Sequence, residues 1–519
     1  MVGTDSIRAF GGFSRATLRF ERPDRLARNL IATVAVGPTL AGAVAGAAAR
    51  YPHGRAIVML PDHETFTYQQ LWNRCRGVAD QLAERGIGES STLGLLAGNS
   101  PGFVIGMVSA SIVGADIVLM NPGFAAPQLA GVNDRESVDL LLIGDHFESM
   151  VKAAGVDYER IDELAFIAAG KMVDITPSRR TARMVILTSG TTGRPKGARR
   201  GSTPVAPVGG MLSIIPIRSG DTVLVAAPMF HAWGFAHTVM TLTLASTIVT
   251  SSSFDPELTL AALGRERVDG LVAVPAMLQR MLERGRAGTP IDASWLRYIA
   301  SSGSSIHPSV VEEVLTTFGP VLYNTYGSTE ASIATIAAPA DLASQASTAG
   351  RVVPGVRVAV LDEQNVAVAD GTPGRIFVDA GGGFEGYTGG GDKERVGAMV
   401  STGDTGRFVD GLLFVEGRSD DMIVSGGENV FPGEVEAVIA AMAGVADVAV
   451  AGVPDDAFGQ RLAAFVVKRP KAKVTAAQVR DEVRAQLARY KVPRDVHFVK
   501  SLPRTESGKV LRHELGETP

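Results

Sequence analysis

Cysteine is nearly absent from this chain: Cys75 is the one thiol among 519 residues. A single cysteine excludes an internal disulfide and a cysteine-rich metal site, and it suits a reducing cytoplasm, where we expect the protein to reside. A surplus of positive charge is also absent, because 50 lysines and arginines face 54 aspartates and glutamates, for a formal charge of −4. We therefore expect no nucleic-acid partner and interpret Cys75 as a buried thiol.

Long uninterrupted apolar runs are missing too. Residues 103–120 form the longest stretch worth testing as a membrane span, but Ser109 and Asp116 interrupt it. We therefore predict no transmembrane segment here. We predict instead a buried helix followed by a buried strand. Residues 1–38 resemble a targeting sequence only faintly, because acidic residues interrupt their basic pattern. We predict a surface-packed arm here, with interfacial membrane contact as the alternative. Its basic residues are Arg8, Arg15, Arg19, Arg22, Arg25 and Arg28.

What the chain does contain is 45% apolar residues, enough at this length for about two to four domains. From about residue 39, short apolar runs alternate with alanine-rich helical stretches, which predicts parallel sheets covered by helices, in two related α/β lobes. Beyond about residue 348, Val- and Gly-rich alternation predicts the antiparallel strands of a small β-barrel-like unit. Predicted strands include 92–96, 117–120, 140–143, 184–187, 221–226, 247–250, 357–361 and 374–378.

The C-terminal segment forms a further unit. A helix beginning near Pro432 has acidic residues in its first turn, where they complement the helix dipole, and two strands and a second helix follow. The predicted fold class is α/β, with a large domain of two α/β lobes plus the β-barrel-like unit and a smaller α+β C-terminal domain. We divide the chain into an N-terminal arm at 1–38, the large domain at 39–417 and the small domain at 418–519.

A hydroxyl- and glycine-rich stretch, residues 187–197, directly follows an apolar strand. Small residues let backbone N–H groups approach phosphate oxygens, the hydroxyls add donors, and a lysine supplies a cation, so the composition predicts a phosphate-binding loop. The Walker A order is not met, because Lys196 precedes Gly197 instead of a serine or threonine. A flexible glycine-rich loop is the alternative. The candidate phosphate-binding residues are Thr188, Ser189, Gly190, Thr191, Thr192 and Lys196.

Residues 188–197 resemble the AMP-binding signature of the acyl-adenylate-forming superfamily, and the chain is most similar to a fatty-acyl-CoA synthetase. Tyr-Asn-Thr-Tyr-Gly-Ser-Thr-Glu at 323–330 resembles the second core motif of that family. The resemblance implies that Tyr326 packs against adenine and that Glu330 holds Mg²⁺ on the triphosphate. Either residue alone would fit an ordinary turn. Further nucleotide-binding positions implied by the resemblance are Gly303, Asn324, Gly327 and Thr329.

Three further motifs follow in family order. Ser-Thr-Gly-Asp at 401–404 resembles the ribose motif, which implies that Asp404 accepts hydrogen bonds from the ribose hydroxyls. The next motif, at 417–423, implies that Arg418 lies near ribose and phosphate and that Asp420 is the hinge of a mobile small domain. The segment 503–512 resembles the one that carries the catalytic lysine of the family, here Lys509. Gly427 corresponds to the face along which the pantetheine arm passes.

The family resemblance implies a two-step reaction with ATP, Mg²⁺ and coenzyme A. His231 is implied to lie beside the substrate carboxylate, and Trp233 and Phe235 are implied to line the acyl pocket, although burial in the core is the alternative for these rings. We predict activation of a medium- or long-chain fatty acid, followed by its transfer to coenzyme A. The alternatives are an acyl-AMP ligase that loads a carrier protein and a catalytically silent nucleotide-binding protein. Oligomeric state is not legible from the sequence.

Overall fold

The computed structural model describes most of the chain. The described residues are 23–144, 146–168, 175–188, 196–200, 205–382, 384–388, 390–418, 423–425, 428–455, 459–487, 489–505 and 508–515.

Several helices of the large domain begin at favourable capping residues. Ser100 accepts a hydrogen bond from the backbone of Phe103, and Pro101 occupies the first turn of the helix that follows, the position at which proline is preorganised for a helix. The helices are α1 (Pro23–Val36), α2 (Leu40–Arg50), α3 (Tyr68–Glu84), α4 (Pro101–Val113), α5 (Ala126–Arg135), α6 (Glu148–Ala154), α7 (Ile161–Ala168), α8 (Val205–Ile214), α9 (Ala232–Thr243), α10 (Pro256–Arg265), α11 (Pro275–Arg286), α12 (Pro308–Phe318) and α13 (Pro339–Ser344).

Nine strands form the larger of two α/β sheets, in the order β15-β14-β13-β12-β11-β9-β10-β1-β2. The six strands from β13 to β1 are parallel to their neighbours, and antiparallel strands close both edges. The bounds are β1 (Arg55–Leu60), β2 (Glu64–Thr67), β9 (Thr222–Val225), β10 (Thr247–Ser251), β11 (Gly270–Ala273), β12 (Tyr298–Ser301), β13 (Leu322–Ser328), β14 (Ser332–Ala337) and β15 (Arg351–Val352).

Seven strands form the second α/β sheet, in the order β18-β8-β7-β4-β3-β5-β6. Apolar runs such as β3 are almost wholly buried, as expected for strands covered on both faces. The predicted parallel lobes are thus confirmed, and the antiparallel edge strands are an addition that the sequence pattern did not predict. The bounds are β3 (Thr92–Leu96), β4 (Asp116–Leu119), β5 (Leu140–Ile143), β6 (Tyr158–Arg160), β7 (Met184–Thr188), β8 (Lys196–Arg200) and β18 (Phe384–Tyr387).

The predicted antiparallel unit is a five-stranded sheet in which β16, β17, β20 and β19 are neighbours and β21 pairs with β20. Every pairing in it is antiparallel. The prediction of a change from parallel to antiparallel strands is therefore confirmed. The bounds are β16 (Arg357–Leu361), β17 (Gly374–Asp379), β19 (Arg395–Val396), β20 (Met399–Val409) and β21 (Leu412–Arg418).

A fourth sheet follows, with helices on the same chain segment and a hydrophobic cluster of its own. A separate core is what an α+β domain requires, while the division at residue 418 stays a prediction. The bounds are β22 (Ile423–Ser425), β23 (Glu428–Val430), α14 (Pro432–Ala440), β24 (Val445–Asp455), β25 (Gly459–Lys468), α15 (Ala476–Gln486), β26 (Asp495–Val499) and α16 (Arg512–Leu515).

Two predictions about single segments are confirmed. Residues 103–120 form most of α4 and all of β4, with α4 buried along most of its length, and no helix among the described residues is long and apolar enough to cross a membrane. Cys75 is fully buried in α3, and burial raises the pKa of its thiol above the ordinary value.

Candidate active site

The central strands of the nine-stranded sheet bring distant motifs to one edge. Strands β13, β12, β11 and β9 are consecutive and parallel, so their carboxyl ends lie side by side, where ligands bind in open α/β sheets. His231 follows β9, Gly303 follows β12, and Glu330 follows β13. Gly303 has φ +100°, a left-handed conformation that favours glycine. The topology thus gathers three predicted site residues that lie up to 99 positions apart in the sequence.

The predicted adenine and ribose residues are in direct contact. The hydroxyl of Tyr326, on β13, donates to Asp404 Oδ2, on β20, at 2.6 Å. This bond joins the parallel sheet to the antiparallel one. Asp404 in turn lies opposite Arg418 in the β20–β21 register. The backbone therefore brings together Tyr326, Asp404 and Arg418, which the sequence separates by up to 92 positions.

Glu330, the predicted metal ligand, lies in the turn between β13 and β14. Its Oε1 accepts a hydrogen bond from the hydroxyl of Tyr387, on β18, at 2.7 Å. Gly327, one residue after Tyr326, must be small, because a Cβ there would lie 2.1 Å from the carbonyl oxygen of Ser332. Thr329 occupies the same turn. The turn is thus held both by a tight backbone approach and by a tyrosine from the other α/β sheet.

The predicted phosphate-binding loop is the connection of a β-hairpin. Thr188, the last residue of β7, pairs with Lys196, the first residue of β8. Strand β8 pairs on its other side with β18, where Tyr387 lies opposite Ala198, and the backbone N–H of Thr388 donates to Gly197 O at 2.9 Å. Tyr387 therefore connects the base of this hairpin to Glu330.

The donor set around Glu330 suits Mg²⁺. Mg²⁺ usually takes one or two protein carboxylates and completes its shell with water and substrate phosphates. The structure offers the Glu330 carboxylate beside the hairpin that carries the predicted phosphate loop. Among the described residues there is no cluster of three acidic, histidine or cysteine side chains that could hold a metal without a substrate. The residues thus fit a metal that binds together with a nucleotide.

Lys509 lies on a turn at the same edge of the sheet. A Cβ on the preceding Gly508 would lie 3.0 Å from Ala276 Cβ and 3.8 Å from Val274 Cγ2, and a Cβ on Gly303 would lie 3.5 Å from Val274 Cγ1. Gly508, with φ +83°, and Gly303 therefore pack on the same residue, Val274, at the end of β11. The Lys509 side chain itself is exposed. The small domain thus presents its lysine turn to the site edge of the large domain.

The Lys509 turn is braced by an ion pair. Arg504 Nη1 donates to Gly508 O at 2.7 Å, and Arg504 Nη2 lies 2.9 Å and 2.7 Å from the two carboxylate oxygens of Asp447. The backbone of Lys509 bonds Thr505 in both directions: its N–H donates to Thr505 Oγ1 at 3.0 Å, and its carbonyl accepts from Thr505 N–H at 2.8 Å. One arginine therefore connects the turn to β24.

A wall of rings borders the site at the start of α9. We call the side chains of Phe230, His231, Trp233, Phe235 and His237 the α9 wall. Phe230 and His231 have ring centroids 4.4 Å apart, and Trp233 and His237 have centroids 4.3 Å apart in a T-shaped contact. Phe235 is buried in the main hydrophobic cluster, whereas Trp233 is half-buried where two clusters meet. Trp233 is thus better placed than Phe235 for contact with a ligand.

The two histidines of this wall are neutral at physiological pH. Burial lowers the pKa of His231 to about 4 and that of His237 to about 3, because an apolar environment disfavours the charged imidazolium. His231 Nε2, Trp233 Nε1 and both ring nitrogens of His237 are buried without a hydrogen-bond partner among the described residues. The α9 wall is therefore uncharged, with a few polar atoms that remain unsatisfied.

Further orphaned polar atoms lie on the central strands. Ser301 Oγ and Asn324 Oδ1 are buried without a hydrogen-bond partner in the described part of the chain. Ser301 ends β12, and Asn324 lies opposite it on β13. Buried polar atoms are nearly always paired in folded proteins. An orphaned pair at the carboxyl edge of the sheet therefore fits a polar ligand such as a nucleotide.

Several predicted site residues fall outside the described part of the structure. For Thr188, Lys196 and Arg418 only the backbone is described. The predicted phosphate-loop residues, the hinge and the pantetheine position lie outside the described residues altogether: Ser189, Gly190, Thr191, Thr192, Asp420 and Gly427.

The sequence did not single out Tyr387, Arg504 or Asp447. Tyr387 lies between two glycine clusters, at 381–383 and 389–391, a composition typical of loops. The alternation in Phe-Glu-Gly-Tyr at 384–387 is the signal that would have indicated a strand there. Arg504 and Asp447 resemble ordinary surface charges in sequence, so only their contact distinguishes them.

Known proteins are similar to this chain along most of its length. Residues 44–388 match the model of the AMP-binding enzyme family, and residues 434–509 match the model of the AMP-binding enzyme C-terminal domain. An indoleacetate–CoA ligase of Aromatoleum aromaticum is 29% identical over 489 residues, which cover 89% of this chain and 94% of that protein. A fatty acid–[acyl-carrier-protein] ligase of Streptomyces coeruleorubidus is 29% identical over 481 residues, which cover 88% of this chain and 92% of that protein.

The fold is shared with a solved structure as well. o-Succinylbenzoate CoA synthetase from Bacillus subtilis, in complex with its acyl-adenylate intermediate, superposes with a TM-score of 0.82 at 25% identity, over 92% of this chain and 98% of that one. The match spans both domains, as do the contacts that gather Glu330, Asp404 and the Lys509 turn at one edge. The chain therefore belongs to the AMP-binding enzyme family and is an AMP-forming acid–thiol ligase, which activates a carboxylic acid as its adenylate.

Proposed function

We propose that this enzyme activates a medium- or long-chain fatty acid. In the first step a carboxylate oxygen attacks the α-phosphorus of ATP, so that acyl-AMP forms and pyrophosphate leaves. In the second step the thiolate of coenzyme A attacks the acyl carbonyl, so that acyl-CoA forms and AMP leaves. The proposal places the enzyme in the cytoplasm and in lipid metabolism.

The observation that carries the choice of acid is the uncharged α9 wall. Between residues 229 and 245 there is no acidic residue, lysine or arginine, and the two histidines are kept neutral by burial. An amino group or a second carboxylate on the substrate would need an opposite charge when removed from water. Met277 and Leu278, buried on α11, add apolar surface to the same core. This environment favours an uncharged alkyl tail.

The first step requires two anions to be brought together, so most of the catalysis is positioning and charge neutralisation. We assign Tyr326 to the adenine, Asp404 to the ribose hydroxyls, and the 188–196 hairpin to the β- and γ-phosphates. When bound, Mg²⁺ held by Glu330 would neutralise phosphate charge. Lys509 is assigned to the α-phosphate and the carboxylate, and His231 to the carboxylate side of the acyl pocket.

The second step needs the lysine turn to withdraw. We propose that the small domain rotates about Asp420, removing Lys509 and bringing the face around Gly427 to the adenylate. Among the described residues, the contacts between the domains include polar ones, such as Gln279 Nε2 donating to Ala446 O at 3.1 Å and His307 Nε2 donating to Ala437 O at 3.3 Å. Such contacts resemble those of domain interfaces that permit motion. No cysteine of the enzyme takes part, since Cys75 is buried within α3.

Transfer to a carrier protein is the second candidate. The relative named as a fatty acid–[acyl-carrier-protein] ligase favours it, at 29% identity over most of both chains. It shares the first step and differs in the acceptor alone. A catalytically silent nucleotide-binding protein is disfavoured, because Glu330, Asp404 and Lys509 are all present and gathered at one edge.

Mass spectrometry of the products tests the proposal. The enzyme is incubated with ATP, Mg²⁺ and coenzyme A, and with acids from short to long alkyl chains, aryl acids and amino acids. We expect acyl-CoA and AMP from the longer alkyl acids. Acyl-AMP that persists in the presence of coenzyme A would indicate carrier loading. Preferred turnover of an aryl acid would overturn the fatty-acid assignment while leaving the two-step reaction intact.

A further inference from the structure

Helix α1 packs on α2 with polar side chains at the contact. Thr33 and Asn29 face α2, where a Cβ on Gly46 would lie 2.4 Å from Thr33 Oγ1 and 3.0 Å from Asn29 Nδ2. Thr33 Oγ1 also donates to Gly42 O at 3.3 Å. The two glycines of α2 thus allow close approach of these polar groups, and at the carboxyl end of α1 Val36 is buried in the main hydrophobic cluster.

The opposite side of α1 is apolar and faces solvent. Leu30, Ile31 and Val34 are 64%, 67% and 62% exposed. Together with Ala27 they have the i, i+3, i+4, i+7 spacing that places residues on one face of a helix. We call these four residues the apolar stripe. A surface helix normally turns such a face toward the core, so this arrangement is inverted and leaves the apolar side for an external partner.

Basic residues lie at both ends of the apolar stripe. The first 36 residues contain six arginines and three acidic residues, which gives them a formal charge of +3. The whole chain has a formal charge of −4, so the remaining residues carry −7. In the structure Arg25 and Arg28 lie near the amino-terminal end of the stripe, Arg25 over the Tyr51 ring at 5.2 Å and Arg28 paired with Asp24 at 2.8 Å. At the other end Arg179 Nη2 donates to Val34 O at 3.4 Å.

We infer that the apolar stripe of α1 inserts into the interface of an anionic lipid membrane, with Arg25, Arg28 and Arg179 at the phosphate level. Two weak signals, apolar insertion and basic attraction, together give reversible attachment. A second copy of the chain fits this surface less well. The stripe exposes only on the order of a few hundred Å², below the ~1,000 Å² of a stable interface, and pairing would bring two segments of charge +3 together.

Attachment of this kind does not depend on which acid the enzyme activates. Membrane attachment would serve the proposed function, because long-chain acids partition into membranes. The enzyme would then take its substrate from the lipid phase.

Vesicle flotation of the full-length protein tests the inference. Vesicles of phosphatidylcholine alone are compared with vesicles that also contain phosphatidylglycerol. We expect the wild-type protein to float with the anionic vesicles, and the double variant Leu30→Asp/Ile31→Asp to float at least about tenfold less, since two inserted aliphatic side chains are replaced by anions. Phe166→Asp is the matched control, because Phe166 is an equally apolar side chain, 84% exposed, on a different helix, α7; its binding should equal wild type.

Each other outcome overturns the inference. If the double variant floats as well as wild type, the apolar stripe does not contribute to membrane binding. If wild type binds neutral vesicles as well as anionic ones, the arginines do not contribute. If no vesicle binds, and wild type but not the double variant dimerises in sedimentation, the stripe belongs to a second copy. Far-UV circular dichroism checks that the variants are folded, and flotation is scored without reference to catalysis, so failure of the proposed function would not affect the result.

Discussion

Acidification should destabilise the large domain through the two buried histidines of the α9 wall. The folded-state pKa is about 4 for His231 and about 3 for His237, below the ordinary value of 6.5. Below pH 6.5 the unfolded chain therefore binds protons that the folded chain excludes, so the free energy of unfolding falls as the pH falls. Going from about pH 7.5 to about pH 5.5 should remove roughly 1.4 kcal/mol for each histidine, or roughly 3 kcal/mol for both.

The variant His237→Gln isolates one of these contributions. Glutamine does not titrate, so the loss of stability between the two pH values should shrink by roughly 1.4 kcal/mol relative to wild type. Groups common to both proteins cancel in this comparison. His53→Gln is the control, because it makes the same replacement at an exposed position outside the α9 wall.

Urea unfolding followed by tryptophan fluorescence is the assay. All three tryptophans, Trp72, Trp233 and Trp295, belong to the predicted large domain, so the signal reports the domain that contains both histidines. The comparison requires the same m-value at both pH values. The reasoning is refuted if His237→Gln loses as much stability on acidification as the wild-type protein does.

Three further predictions concern the site. Lys509→Ala should slow acyl-adenylate formation at least about a hundredfold while thioester synthesis from supplied acyl-AMP stays near wild type; equal loss of both steps would contradict its assignment. Arg504→Ala should slow adenylation about tenfold, because the turn loses its brace to Asp447; a change in KM for ATP with an unchanged rate constant would argue against positioning. Tyr387→Phe should raise the Mg²⁺ concentration for half-maximal activity about tenfold; an unchanged Mg²⁺ dependence would mean that the tyrosine does not orient Glu330.

Several features of the fold could be predicted from local patterns. The apolar run at 92–96 and the polar interruptions in 103–120 predicted buried strands and a buried helix, because side-chain burial follows the period of the element that carries it. The change to Val/Gly alternation after residue 348 predicted the antiparallel sheet for the same reason. Antiparallel edge strands were not predicted, because pairing partners such as β8 and β18 are about 190 positions apart.

The candidate site also combines features that the sequence predicted with features that only the structure revealed. By itself, the sequence predicted the chemistry: five motifs in family order indicated a phosphate loop and site roles for Tyr326, Glu330, Asp404 and Lys509, because motifs of this kind are local properties of the sequence. Only the tertiary structure decided which side chains support them, such as Tyr387 on Glu330 or Arg504 under the Lys509 turn. It also decided that α1 turns its apolar face outward. Hydrogen bonds and helix orientation depend on the packing of segments far apart in the chain, and no local pattern encodes that packing.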